Sequence, residues 1–207
     1  MHPTNPSPRF VLASASPARL RTLQAAGIDA QVLVSGVDES VVDAADPETL
    51  SGTLARMKAL TAAERLRHGA GGAAGLVLGC DSVLGFDGEI LGKPADAADA
   101  TARWRRMRGR EGVLYTGHCL VDLASGRTVE EVAATTVRFA PITDAEIAAY
   151  VATGEPLRVA GAFTIDGLGG AFVESIVGDP GTVVGLSMPL LRRLLAELGV
   201  PITALWR

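Results

Sequence analysis

Between Leu76 and Leu84 the chain reads Leu-Val-Leu-Gly-Cys-Asp-Ser-Val-Leu, apolar on both alternating sets of positions, with one carboxylate, Asp81, near the middle. A strand that turns apolar side chains to both faces must be covered on both, so it belongs inside a sheet flanked by helices. An isolated carboxylate is expensive to desolvate in such a place. Asp81 therefore needs a partner or a task, and the rest of the chain has to supply it along with the covering helices.

The flanking segments read as those helices and as further strands. The run Phe10 to Ala13 followed by Ser14-Ala15-Ser16-Pro17 predicts a strand feeding a helix, with Ser16 as N-cap, Pro17 in the first turn, Leu20, Leu23 and Ala26 as the apolar stripe and Gly27 as the stop. Val32 to Val34 reads as a second strand, ending in a turn before Asp38 and Glu39. A long helix then opens at Asp46-Pro47 and runs to His68, with Leu50, Leu54, Met57 and Leu60 as its expected buried stripe and Lys58 beside that stripe. Asp87-Gly88 is a hairpin turn. Residues 96–108 read as a helix that buries Trp104 and Met107, and 113–123 with 128–139 as a long hairpin. Thr143 to Glu146 is a capping box. The glycine-dense stretch 161–185 is expected to alternate short strands with turns, and 190–198 to form the last helix. Helices that alternate with both single strands and hairpins specify an α/β protein with a mixed, extended sheet, flanking helices and a central cleft. Residues 1–8, with three prolines, are expected to be a disordered leader, and 9–207 one domain of two lobes around the cleft.

Composition excludes several functions. Nineteen basic against twenty-three acidic residues leave a net charge of −4, which offers no general field for a polyanion, so nucleic acid is not an expected partner. Apolar runs stop well short of the roughly 20 residues that span a bilayer. Two distant cysteines and three scattered histidines suggest neither a disulfide framework nor a zinc site, and a cytoplasmic setting is expected. The cluster Arg103, Arg105, Arg106, Arg108 and Arg110 reads as a solvated helix face.

Three features point to anion chemistry. Ser14, Ser16 and Arg19 stand where a strand passes into a helix, with free backbone N–H groups at a positive helix end; the alternative is an ordinary serine cap with a solvated arginine. Glu39 and Asp81 each adjoin an apolar run, and two carboxylates near a phosphate site are tolerated when a hard divalent cation such as Mg²⁺ or Mn²⁺ bridges them to phosphate oxygens. Lys58 and Lys93 are cations that would balance the remaining charge. Gly167-Leu-Gly-Gly170 lacks the strand and helix that a dinucleotide fingerprint needs, and no Walker loop is present.

Taken together, the segments Leu12 to Arg19, Val37-Asp-Glu39, Lys58-Ala59, Gly79-Cys-Asp-Ser82, Gly88 to Pro94, Tyr115-Thr-Gly117, Gly154-Glu-Pro156, Ala160 to Phe163, Gly167 to Gly170 and Val184-Gly-Leu186 resemble, in order, the Maf family of nucleoside triphosphate pyrophosphatases. The resemblance implies an inosine-triphosphatase-like fold and a metal-dependent enzyme that cleaves a nucleoside triphosphate between its α and β phosphates, alone or as a homodimer. It implies Ser14 and Arg19 as phosphate contacts, Lys58 and Lys93 as the two basic positions, Glu39 as metal ligand, and Asp81 as proton acceptor or metal ligand. A nucleotide-binding regulator of cell division, without catalysis, is the other role the family suggests. Ser82 and Asp166 fall, with Ala18, at substrate-selecting positions. Enzymes for thymidine and uridine triphosphates usually carry threonine, glutamine and arginine there, and those for 7-methylguanosine triphosphate tend to have tryptophan in place of Ala18. This chain matches neither pattern.

Overall fold

The computed structural model describes residues 8–69 and 74–207; the expected leader lies outside them except for Pro8, as does part of the linker after His68. The order is β1 (Phe10–Leu12), α1 (Pro17–Ala25), β2 (Ala30–Val32), α2 (Pro47–His68), β3 (Leu76–Phe86), β4 (Glu89–Leu91), α3 (Ala97–Met107), β5 (Glu111–Asp122), β6 (Thr128–Phe139), α4 (Asp144–Ala152), β7 (Val173–Val177), α5 (Pro180–Val184) and α6 (Met188–Glu197). All seven strands form one mixed sheet in the order β2-β1-β3-β5-β6-β7, with β4 also on β3. β1 pairs parallel with β2 and β3; the remaining pairings are antiparallel.

Local chemistry sets the helix starts where the sequence places them. Ser16, Asp46 and Thr143 each accept a backbone N–H from their helix's first turn, and Thr143 with Glu146 closes a full capping box. Asp87 and Gly88 both take positive φ, as the two-residue turn between β3 and β4 requires.

Three expectations are corrected. The second strand is Ala30–Val32, two residues earlier than the apolar run suggested, because pairing with β1 sets its register and leaves Val32 and Val34 about half exposed at the sheet edge. The buried face of α2 is Ser51, Leu54, Ala55, Ala59, Ala62 and Ala63, while Leu60 points outward, 37% exposed. The cause lies in the sheet: Gly79 on β3 and Gly117 on β5 leave bare backbone beneath the helix, and a Cβ at Gly79 would stand 2.6 Å from the backbone nitrogen of Ala59. At that separation only small side chains fit between helix and sheet. The stretch 161–185 holds one strand, β7, and the short α5; the rest is short 3₁₀ segments joined by bends and irregular chain.

Apolar side chains cover both faces of β3. On one face Leu12, Leu78, Cys80 and Leu120 pack with Leu23 of α1 and Leu190, Leu191, Leu194 and Leu195 of α6. On the other, Val11, Val77, Cys119 and Val121 meet the alanines of α2. A third cluster surrounds Trp104, whose ring meets Phe139, Tyr150 and Phe172 edge-on and whose indole N–H donates to the Ala162 carbonyl at 2.8 Å. Both cysteines are free and buried, and burial pushes each thiol up to about 12. Arg105, Arg106, Arg108 and Arg110 lie on the surface in ion pairs with Asp144, Glu89 and Asp87, whereas Arg103, expected on the same solvated face, is mostly buried, paired with Asp99 and donating to the Gly92 carbonyl.

His118, 1% exposed, accepts the Ser187 N–H at Nε2, so its proton sits on Nδ1, which faces the Thr116 carbonyl at 2.9 Å. Burial drives its pKa down to about 4 against the opposing pull of that carbonyl. Between the unfolded value near 6.5 and about 4, the unfolded chain binds a proton that the fold refuses, so stability is full above pH 6.5 and falls as pH drops, by about 3 kcal/mol over the window. Urea denaturation across that window should show His118→Gln with a shallower slope than wild type; parallel slopes would exclude His118 as the cause.

Candidate active site

β3 is longer than its neighbours on one side. β1 pairs with it through Leu78 and β4 from Leu84 onward, so Gly79 to Val83 have β5 on one side and a notch in the sheet on the other. The β1–α1 loop passes beside this notch, its Ala13 N–H bonding the Leu78 carbonyl.

On the α2 side of the notch stands Asp81, 7% exposed. Lys58 Nζ lies 2.5 Å from Asp81 Oδ1 and 2.6 Å from Glu39 Oε1, so one ammonium bridges the two carboxylates. Lys58 reaches them because Ala55 and Ala59, on adjoining positions of α2, pack directly on the sheet. Glu39 is presented by a single 3₁₀ turn, Glu39–Val41, capped by Asp38, whose Oδ1 accepts the Ser40 N–H at 3.0 Å and the Ser40 hydroxyl at 2.6 Å. Burial raises the Asp81 pKa above the ordinary carboxylate value, with the Lys58 charge pulling the other way.

On the opposite face the Arg19 guanidinium is buried in hydrogen bonds: Nε to the Gly185 carbonyl at 2.8 Å, Nη1 to Ser14 Oγ and the Cys80 carbonyl at 2.9 Å each, and Nη2 to Ser82 Oγ at 3.0 Å. Four of its five N–H groups are thus committed, and one remains for a ligand. Thr116 Oγ1 donates to the Thr182 carbonyl, so the Ser82 hydroxyl, 2.9 Å away, donates to Thr116. Ser14 Oγ accepts from Arg19 and from the Ser16 N–H, which leaves its own proton free to donate.

Lys93 is exposed just beyond β4, where the pairing of Leu91 with Leu84 directs the chain back to the notch. Asp166 pairs with Arg21 of α1 at 3.4 Å. Arg21 is three residues beyond Ala18, so the two share a helix face. The structure thus brings Glu39, Lys58 and Asp81 into one cluster and Ser14, Arg19 and Ser82 into another, with Asp166 reaching the second through α1. Thr116, Gly185, Tyr150 and Glu155 also shape this region. Thr116, Gly185 and Glu155 stand inside segments of the family pattern, which is the signal that marks them; Tyr150 has no such signal.

Among the described residues no group of three or more His, Cys, Asp or Glu side chains is placed to hold a metal ion. Glu39 and Asp81 are two hard oxygen donors of the type Mg²⁺ takes, but Lys58 Nζ stands between them at 2.6 and 2.5 Å, so a cation held by both carboxylates would need the ammonium to move aside. No helix of the described residues is long and apolar enough to cross a membrane.

The sequence profile of the Maf-like protein family matches residues 9–198. The chain is 69% identical over 198 residues to a nucleoside triphosphate pyrophosphatase of Salinispora tropica, covering 96% of this chain and 87% of that one. It is 60% identical over 202 residues to one of Streptomyces coelicolor, covering 97% and 96%, and 52% identical over 200 residues to one of Nostoc punctiforme, covering 97% and 98%. With a match across nearly its whole length and relatives this similar, the chain belongs to the Maf-like protein family.

Proposed function

We propose that this protein hydrolyses nucleoside triphosphates to the monophosphate and pyrophosphate at the β3 notch. The observation that carries the reading is the buried Asp81 carboxylate, bridged through Lys58 to Glu39 and lying beside a serine-rich helix start. The similarity to named pyrophosphatases supports it. Ser14 and the helix N-terminus would take phosphate oxygens, with Lys58, Lys93 and the remaining N–H of Arg19 balancing charge. A water oxygen attacks the α-phosphorus, its proton passes to Asp81, and the bond from that phosphorus to the bridging oxygen breaks, so that the oxygen departs with pyrophosphate. Glu39 and Asp81 would hold a divalent cation, Mg²⁺ or Mn²⁺, which when bound offsets phosphate charge and acidifies water. Ser82 and Asp166 would face the nucleoside end. A cytoplasmic setting and a homodimeric assembly belong to the same reading.

Incubating the protein with a panel of nucleoside triphosphates and Mg²⁺ or Mn²⁺ should release pyrophosphate and monophosphate in equal amounts, and a chelator should stop the reaction. Release of orthophosphate, or of nothing, would refute the activity. Undiminished turnover with chelator would refute the metal.

A further inference from the structure

Glu155 has no place in the chemistry above, yet its carboxylate is one of the most heavily bonded groups in the protein. Oε1 accepts the Tyr150 hydroxyl at 2.9 Å, the Thr164 hydroxyl at 2.5 Å and the Gly169 N–H at 3.0 Å; Oε2 accepts the Leu168 N–H at 3.0 Å. Among the described residues no lysine or arginine pairs with it. The Tyr150 oxygen in turn accepts the Thr164 N–H at 3.3 Å. The chain wraps so closely that a Cβ at Gly167 would stand 2.7 Å from Glu155 Oε2, and one at Gly169 would stand 2.8 Å from the Thr164 carbonyl oxygen and closer still to the Tyr150 hydroxyl.

Asp166 sits inside this wrapped segment. Thr164 and Leu168, two residues to either side, are tied to the same carboxylate, whereas its own side chain is 36% exposed and among the described residues pairs only with Arg21. The backbone is therefore held from within while the side chain stays accessible on the Ala18 face of α1, the arrangement a recognition residue needs. A carboxylate suits the inner position because it only accepts, and all four partners donate. Those bonds outweigh burial and keep Glu155 ionised below the ordinary glutamate pKa.

We infer that Glu155 is a positioning residue for nucleotide recognition: it folds residues 164–169 around its carboxylate and thereby holds Asp166 against Arg21 at the nucleoside end of the site. This rests on the reading of the notch as a nucleotide site. Glu155→Gln keeps the shape but replaces one acceptor oxygen with an NH₂ that faces donors.

The test is a double-mutant cycle of Glu155→Gln and Asp166→Ala. Pyrophosphate release is followed with guanosine, uridine, thymidine and cytidine triphosphates, and calorimetry measures binding of the matching α,β-methylene analogues. For the favoured nucleotide, Glu155→Gln should raise KM and the analogue's Kd about tenfold, lower kcat less than about threefold, narrow the spread among the four nucleotides, and have almost no effect in the Asp166→Ala background. Tyr150→Phe, which removes one of the four donors, should act in the same direction more weakly and serves if Glu155→Gln does not fold. An equal loss in the Asp166→Ala background, or a fall confined to kcat, would overturn the inference. Analogue binding without pyrophosphate release by wild type would refute the proposed reaction while the binding cycle still decides Glu155. Absence of analogue binding by wild type would overturn both.

Discussion

Asp81→Asn should lower kcat for pyrophosphate release by about a hundredfold or more, the range for loss of a general base. The substitution preserves size and removes the charge, so on the proposed reaction the water attacking the α-phosphorus would lose the group that takes its proton. The fold should survive: Lys58 keeps Glu39 as its counter-ion at 2.6 Å, so no buried ammonium is left unpaired. Steady-state kinetics with unfolding curves of both proteins decide the matter. Near-normal turnover would remove Asp81 from the chemistry, and a rise in KM at constant kcat would make it a binding residue instead.

Gly79→Ala should destabilise the protein by about 3 kcal/mol, at the upper end of what overpacking costs. The added Cβ would meet the backbone of α2 at Ala55 and Ala59, and helix backbone cannot move aside as a flexible side chain can. Moving α2 outward would also carry Lys58 away from Asp81, so turnover should fall with stability. Gly92→Ala provides the control, since a Cβ there meets nothing within 4 Å and should change stability by less than about 0.5 kcal/mol. Equal denaturation midpoints for the two variants would show that α2 accommodates the methyl group.

Gly79, together with Gly117, also explains where the sequence misleads. Caps, the Asp87-Gly88 turn and the β5–β6 hairpin depend on residues within a few positions of one another, and they form where local chemistry puts them. The buried face of α2 depends on residues distant in sequence. Leu54, Met57 and Leu60 have the right spacing for a stripe, but only Leu54 is buried, because the bare backbone at Gly79 and Gly117 selects the face that carries the alanines. Arg19 is a second case. Its place at a helix start suggests an exposed phosphate ligand, whereas Ser14, Cys80, Ser82 and Gly185 converge on it from three separate segments, which no local pattern encodes. Asp81 was legible because a carboxylate within a two-sided apolar strand stands out against its neighbours. Arg21 was not, since its pairing with Asp166 spans 145 positions.

The notch divides the candidate site into parts of unequal persistence. Asp81 belongs to β3, and the β3 amides that bond to β5, on a strand packed on both faces, should exchange with solvent only when the whole molecule opens. Glu39 sits in a three-residue turn without buried side chains, and its segment should exchange through small local openings. A ligand that binds the folded protein would then slow exchange around residues 35–42 by closing local openings, and would slow the β5-bonded amides of β3 only through its stabilisation of the whole fold. On the proposed reaction, the carboxylate that takes the proton would belong to the most persistent part of the sheet, and its partner across Lys58 to the segment that opens most readily.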